Sequence, residues 1–149
     1  MIPEFDEEGE LPAGIYGVTM DEVRARLAQF TTSDRRIMLF ETLERFVATA
    51  RQANVVTRIY LVGSYVTAKA EPEDIDLLVV YRAAMGTVEL EQQQYNVIHR
   101  AGVRRAFGYR LDVHPVREGS PAEQGLLTFF QSNRRGKLVG ILEVKLYGD

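Results

Sequence analysis

The sequence predicts an α/β (α+β) domain, a small mixed β-sheet flanked by helices, and three observations carry that expectation. Segments of helical and strand periodicity alternate through the middle of the chain, as in domains that layer helices on a sheet. Two runs, VVTRIYLV at 55–62 and IDLLVVY at 75–81, are so apolar and β-branched that they read as buried strands. The 149 residues are 46% hydrophobic, and a chain of about 150 residues buries roughly 68–70% of its unfolded surface, enough for one core.

Residues 1–18 contain Pro3, Pro12 and three glycines, with an acidic run from Asp6 to Glu8. They are expected as an extended N-terminal arm that packs, through Ile2, Phe5, Leu11, Ile15 and Tyr16, on a single domain at 19–149. Thr19 and Glu22 have capping-box spacing for a short helix near 20–29. Ser33 is expected to cap a longer one from Asp34 to about Ala53. Its apolar residues Ile37, Phe40, Leu43, Val47 and Ala50 recur at helical intervals, and Arg36, Glu41, Glu44, Arg45 and Arg51 fall largely on other faces. Asn54 ends that helix, and the strand after it stops at Gly63-Ser64. The connection SYVTAKAEPED leaves room for one helical turn and a loop before the second strand.

Thr87 is a candidate cap for a helix from Val88 to about Ala101, with Gly102 as its stop. In the third strand, Tyr109 to Val116, alternation puts Tyr109, Leu111 and Val113 on one face and Arg110, Asp112 and His114 on the other. Ser120-Pro121-Ala122-Glu123 starts a helix to about Gln131. LVGILEVKL, Leu138 to Leu146, reads as a final strand, free to pair at an edge and with Gly140 as a bulge candidate. Phe40, Phe46, Phe129 and Phe130 are core candidates. No repeat or low-complexity tract divides the chain.

Lys plus Arg number 18 against 21 Asp plus Glu, a formal charge of −3, so a mainly electrostatic grip on an extended nucleic acid is not expected. With no cysteine, thiolate metal sites, cysteine nucleophiles and disulfides are excluded, and only His99 and His114 supply imidazole. The N-terminus lacks a signal-peptide pattern and no stretch reaches membrane-span length, so a cytoplasmic protein without membrane contact is expected.

The chemistry concentrates in Gly63-Ser64 and, after nine intervening residues, Asp74-Ile75-Asp76. Strand alternation projects Asp74 and Asp76 from one face, roughly 6–7 Å apart at about 3.3 Å per residue, where both can hold a hard cation. Asp112 joins them if its strand is a neighbour. Gly63 lets backbone approach a ligand, and Ser64 adds a hydroxyl beside free amides, an arrangement suited to phosphate oxygens. Lys69 is the one basic residue of the connection and a candidate phosphate contact, with plain surface charge as the competing reading. His114 shares a face with Asp112 and is expected as a hydrogen-bonded structural histidine, with substrate contact or proton transfer as the competing reading. Arg100, Arg104, Arg105 and Arg110 read as solvated charge. No serine–histidine–acid arrangement or Walker loop is present.

A hydrophobic strand ending in Gly-Ser, a gap of about ten residues, Asp-x-Asp between hydrophobics and a later Asp between hydrophobics together resemble the nucleotidyltransferase superfamily of DNA polymerase beta. The match is at Gly63, Ser64, Asp74, Asp76 and Asp112 and spans about residues 55–116. The rest of the chain is similar to small uncharacterised bacterial proteins with the same core. The resemblance implies a nucleotidyltransferase-like fold with Asp74, Asp76 and Asp112 as metal-binding and catalytic residues. It implies Mg²⁺, or alternatively Mn²⁺, as the cofactor. Gly63, Ser64 and Lys69 would hold a nucleoside triphosphate such as ATP, and a nucleotide would pass to a hydroxyl of a protein or small molecule. Several minimal members act in toxin–antitoxin pairs. Their loop usually carries Ala-Arg-Gly shortly after Gly-Ser, where this chain has Tyr65-Val66-Thr67-Ala68-Lys69. That departure keeps a second expectation open, a non-catalytic nucleotide- or protein-binding module such as an antitoxin-like partner.

Overall fold

The computed structural model describes residues 1–29, 33–86 and 89–147. Its strands are β1 (Gly14–Val18), β2 (Val56–Val62), β3 (Ile75–Tyr81), β4 (Leu111–Arg117) and β5 (Gly140–Val144). They form one mixed sheet in the order β1-β5-β2-β3-β4. β2 runs antiparallel to both β5 and β3, while β1 with β5 and β3 with β4 are parallel pairs. A parallel pair needs a crossover, and residues 82–110 supply it with α3 (Gln92–Ile98) and α4 (Arg100–Phe107).

The two sheet faces carry separate cores. On one, α2 (Arg35–Ala53) and the crossover helices pack Leu39, Leu43, Phe46 and Val47 against Ile59, Leu61, Leu77 and Val79. On the other, α5 (Pro121–Phe130) covers Tyr60, Val62, Leu78, Val80 and Val116 through Leu127. Each fully buried aliphatic side chain contributes about 1.5–3 kcal/mol, so strands apolar on both faces are fixed in the sheet centre. By the same alternation, Asp76 shares the α5 face with Leu78 and Val80, and Asp112 shares it with Val116.

The mixed sheet between helices and the strand 75–81 agree with expectation. The capping box also forms: the Glu22 amide donates to Thr19 Oγ1 and the Thr19 amide to Glu22 Oε1. The helix it opens, α1 (Met20–Val23), continues as a π-turn over Arg24–Ala28. α2 starts one residue late, with Asp34 at its cap, though Ser33 Oγ still accepts from the Arg35 amide.

Other elements differ. Part of the arm is strand, because Gly14–Val18 pairs in register with Gly140–Val144 and takes the sheet edge. β5 is therefore an interior strand. Gly140 is no bulge but a close approach, where a Cβ would run into the Pro12 carbonyl and stand 2.8 Å from the Tyr16 ring. The helix expected over 88–101 is two helices broken at His99, whose backbone is extended (φ −120°, ψ 133°), while Thr87 lies outside the described residues. Gly102 does not stop a helix; it lies buried inside α4, where a Cβ would sit 2.5 Å from the Tyr95 carbonyl oxygen. Ser120 precedes α5 without a side-chain cap, and Glu123 accepts from the Gly119 amide instead. Phe129 is not core: it is 67% exposed. The third expected strand starts at Leu111 and not at Tyr109, because Gly108–Arg110 form a 3₁₀ turn that leaves Tyr109 in solvent. Among the described residues no helix is long and apolar enough to cross a membrane.

Candidate functional site

The end of β2 sets the geometry. Gly63 turns the chain at φ +73°, a conformation that L side chains rarely adopt, and opens a 3₁₀ turn over Gly63–Val66. The Asp76 carboxylate lies over its α-carbon: a Cβ there would overlap the acid, with Asp76 Cγ 3.2 Å away. Glycine is therefore required twice, by the turn and by the acid above it.

Asp112 stands beside Asp76 because β3 and β4 are parallel and pair these two residues in register. Arg100, expected as solvated charge, instead donates to Asp112 Oδ1 at 3.0 Å and to the Val113 carbonyl at 3.0 Å. His114, two residues on and on the same face, brings Nε2 to 3.7 Å from Asp76 Oδ1 and 3.7 Å from Asp112 Oδ2. One donor atom from each of Asp76, Asp112 and His114 lies within 4.8 Å of the other two. Among the described residues this is the compact group with metal-ligand spacing, and it differs from the expected trio by exchanging Asp74 for His114.

Asp74 lines the same cleft just before β3. Burial first, and then the charges of Asp76, Asp112 and Glu73, push its carboxyl above the usual carboxylate range, while Arg35 works the other way. A carboxylate that feels both neighbours belongs to the same electrostatic site, although its oxygens stand outside the compact trio. A divalent cation relieves such crowding.

The cleft has a volume of about 1260 Å³. Gly63, Ser64, Thr67, Lys69 and Asp74 line it from the segment between β2 and β3, with Asp76 at the start of β3. Phe129, Phe130, Asn133, Arg134 and Arg135 line it from the end of α5 and the loop after it, while Asp112 stands beside Asp76 outside the lining. Among the described residues the Ser64 hydroxyl has no hydrogen-bond partner, and Arg134 has neither hydrogen bond nor ion pair. Lys69 is exposed on the rim. Phe130 packs its ring 5.0 Å from His114 and 5.1 Å from Phe129, so an aromatic row runs from His114 to the cleft-lining Phe129.

The residue that shapes the segment between β2 and β3 is Arg36, which helical periodicity assigned to a solvent face and which is fully buried. Its guanidinium donates to the carbonyls of Leu27, Tyr65, Thr67 and Lys69 and lies 4.8 Å over the Tyr65 ring. Tyr65 is buried with it and donates its hydroxyl to the Arg36 carbonyl. Burial lowers the Arg36 guanidinium to about 10. Nothing in the local pattern marks Arg36, because its acceptors are carbonyls of a loop about thirty residues away. His114 did carry a signal, since i, i+2 on a strand shares a face. Phe129 carried none, as its exposure follows from where α5 ends.

A protein-family model described as "Family of unknown function (DUF6932)" matches residues 3–145. No curated relative and no solved structure matches the chain.

Proposed function

From a chain that belongs to this family of unknown function over residues 3–145, we propose a metal-dependent nucleotidyltransferase, which moves a nucleoside monophosphate from a nucleoside triphosphate to a hydroxyl and releases pyrophosphate. One observation carries the reading: Asp76 and Asp112 are registered on adjacent parallel strands, and Asp76, over Gly63, lines a cleft with a free serine hydroxyl and unpaired cationic charge. Carboxylate oxygens on rigid strands fit a divalent cation such as Mg²⁺, which keeps open positions for phosphate oxygens. When bound, that ion acidifies an attacking hydroxyl and neutralises charge on the leaving pyrophosphate.

The chain's own residues do the rest. Asp76 and Asp112 hold the cation, and Asp74 adds charge that attracts it. Ser64 Oγ donates to a phosphate oxygen, and Lys69 and Arg134 receive the phosphate tail across the cleft. Exposed Phe129 offers a flat apolar face to the base. The acceptor oxygen attacks the α-phosphorus, the bond to the β-phosphate oxygen breaks, and the acceptor proton passes to Asp112. The cleft leaves acceptor identity open to a protein or small molecule, and a cytoplasmic role in a toxin–antitoxin pair accords with this chemistry.

Tyr65 favours a second reading. Because it is buried on Arg36, the loop after Ser64 presents Lys69 as its one cation, a thin grip for a triphosphate. A module that binds nucleotide or protein without turnover needs no more. The experiment that separates the two incubates the protein with each α-labelled nucleoside triphosphate, Mg²⁺ or Mn²⁺ and cell extract, and follows transfer of label. The transferase labels an acceptor, and Asp76→Asn lowers labelling at least a hundredfold with the fold retained. Undiminished labelling by that variant sinks the site; ATP binding by calorimetry without any labelling selects the binding module.

A further inference from the structure

We infer that His114 is a metal ligand, and that the Asp76–Asp112–His114 centre takes a divalent first-row transition ion, Mn²⁺ in preference to Mg²⁺. The inference rests on the cleft being a cation site and goes beyond it by naming the third ligand and the class of ion.

The spacing distinguishes a ligand from a structural histidine. A hydrogen-bonded imidazole sits roughly 2.7–3.2 Å from its acceptor. Nε2 of His114 is 3.7 Å from an oxygen of each of two carboxylates, too far to bond either and equally far from both. Donors about 2.1 Å from one ion stand about 3.0 Å apart when cis and about 4.2 Å apart when trans in an octahedron, and about 3.4 Å apart in a tetrahedron. The two separations of 3.7 Å fall between those values, and the three donors all lie within 4.8 Å of one another.

The surroundings agree. His114 makes no hydrogen bond among the described residues, and the Phe130 ring 5.0 Å away at 57° restricts how it turns. Arg100 occupies Asp112 Oδ1 and leaves Oδ2, the oxygen nearest His114, for the ion. Two carboxylates and an imidazole form a mixed oxygen and nitrogen donor set. Mg²⁺ demands oxygen donors, whereas Mn²⁺ accepts oxygen and imidazole together, so a nitrogen in the trio shifts preference toward the transition ion.

The test loads the full-length, metal-stripped protein with Mn²⁺ and records electron spin-echo envelope modulation. Wild type shows ¹⁴N directly bound to Mn²⁺, and ¹⁵N-histidine labelling replaces its pattern. His114→Asn removes the nitrogen signal, weakens Mn²⁺ binding at least tenfold by calorimetry, and changes Mg²⁺ binding less than twofold. The wild-type spectrum decides whether an imidazole binds the ion, and His99→Asn, which keeps the coupling, assigns it to His114 without depending on how His114→Asn folds. Mn²⁺ bound without nitrogen coupling overturns the inference, as does equal weakening of both ions. No Mn²⁺ binding overturns this centre, and binding of neither Mn²⁺ nor Mg²⁺ overturns the transferase as well. Nitrogen coupling without nucleotide transfer upholds the centre and overturns the transferase alone.

Discussion

Gly63 shows how one residue can settle the placement of an acid. It supplies a left-handed turn that ends β2, and its missing Cβ makes the space that the Asp76 carboxylate fills. Gly63→Ala therefore meets two obstacles, a φ of +73° and an overlap with Asp76. Expected is a loss of about 1–3 kcal/mol in unfolding free energy by urea titration. Metal binding falls at least tenfold as Asp76 is pushed aside. An alanine variant that binds metal like wild type contradicts the role given to this glycine. Both the turn and the acid pair were legible in sequence, since Gly-Ser closes an apolar run and Asp-x-Asp opens one. That His114 completes the compact trio was not, because the choice between a structural and a ligating histidine depends on distances across two strands.

At the scale of elements, α2 does more than cover the sheet. Through Arg36 it holds the 64–69 connection, satisfying carbonyls that a buried loop would leave unpaired. Four carbonyls converge on a guanidinium because its donors lie in a rigid planar fork, which lysine cannot reproduce. Arg36→Met fills similar space with no donor and strands those acceptors. A loss of about 3 kcal/mol or more is expected in denaturant unfolding. Protease cleavage within 64–69 is expected to accelerate. A change below about 1 kcal/mol contradicts this account. Helix periodicity located α2 to within a residue at each end, yet it assigned Arg36 to solvent, because periodicity weighs side-chain polarity and not the backbone acceptors a distant loop brings. The same limit split the helix expected over 88–101: Gly102 is spent on contact with Tyr95, not on a stop.

Across the whole molecule, the N-terminal arm joins the two segments that line the cleft. The Ala68 amide donates to the Gly9 carbonyl, and Lys137 on the loop after α5 bonds both Asp6, at 2.7 Å, and Glu8. The hydrogen bond from Lys137 is the main reason that Asp6 and Glu8 lie below their ordinary values of 3.8 and 4.5, and Lys137 lies above its 10.5 because of Asp6 and then Glu8. The signs follow from linkage. Depressed acids stabilise the clasp above their ordinary values and lose that contribution as pH falls through the lowered ones; the raised lysine stabilises it below 10.5 and loses it as pH rises through its folded value. The clasp is therefore whole from about pH 5 to about pH 10. Hydrogen exchange at the Asp6–Glu10 amides, corrected for intrinsic rate, should quicken as pH drops below about 4. Lys137→Met should quicken it already at pH 7 and flatten the pH response. Because Glu8 is exposed and Asp6 and Lys137 are only half-buried, global stability should change little.

The sequence by itself determined the layer architecture, the buried central strands and the positions of Gly63, Ser64, Asp74, Asp76 and Asp112, because hydrophobic period and turn chemistry are local properties. Only the tertiary structure decided which of those residues meet. The register of β3 with β4 put Asp112 beside Asp76 and aimed His114 at both. The pairing of β1 with β5 turned an expected free edge into an interior strand, and the end of α5 left Phe129 facing the cleft. These are contacts between segments far apart in the chain, where free energy depends on distance and burial, and no local pattern encodes either.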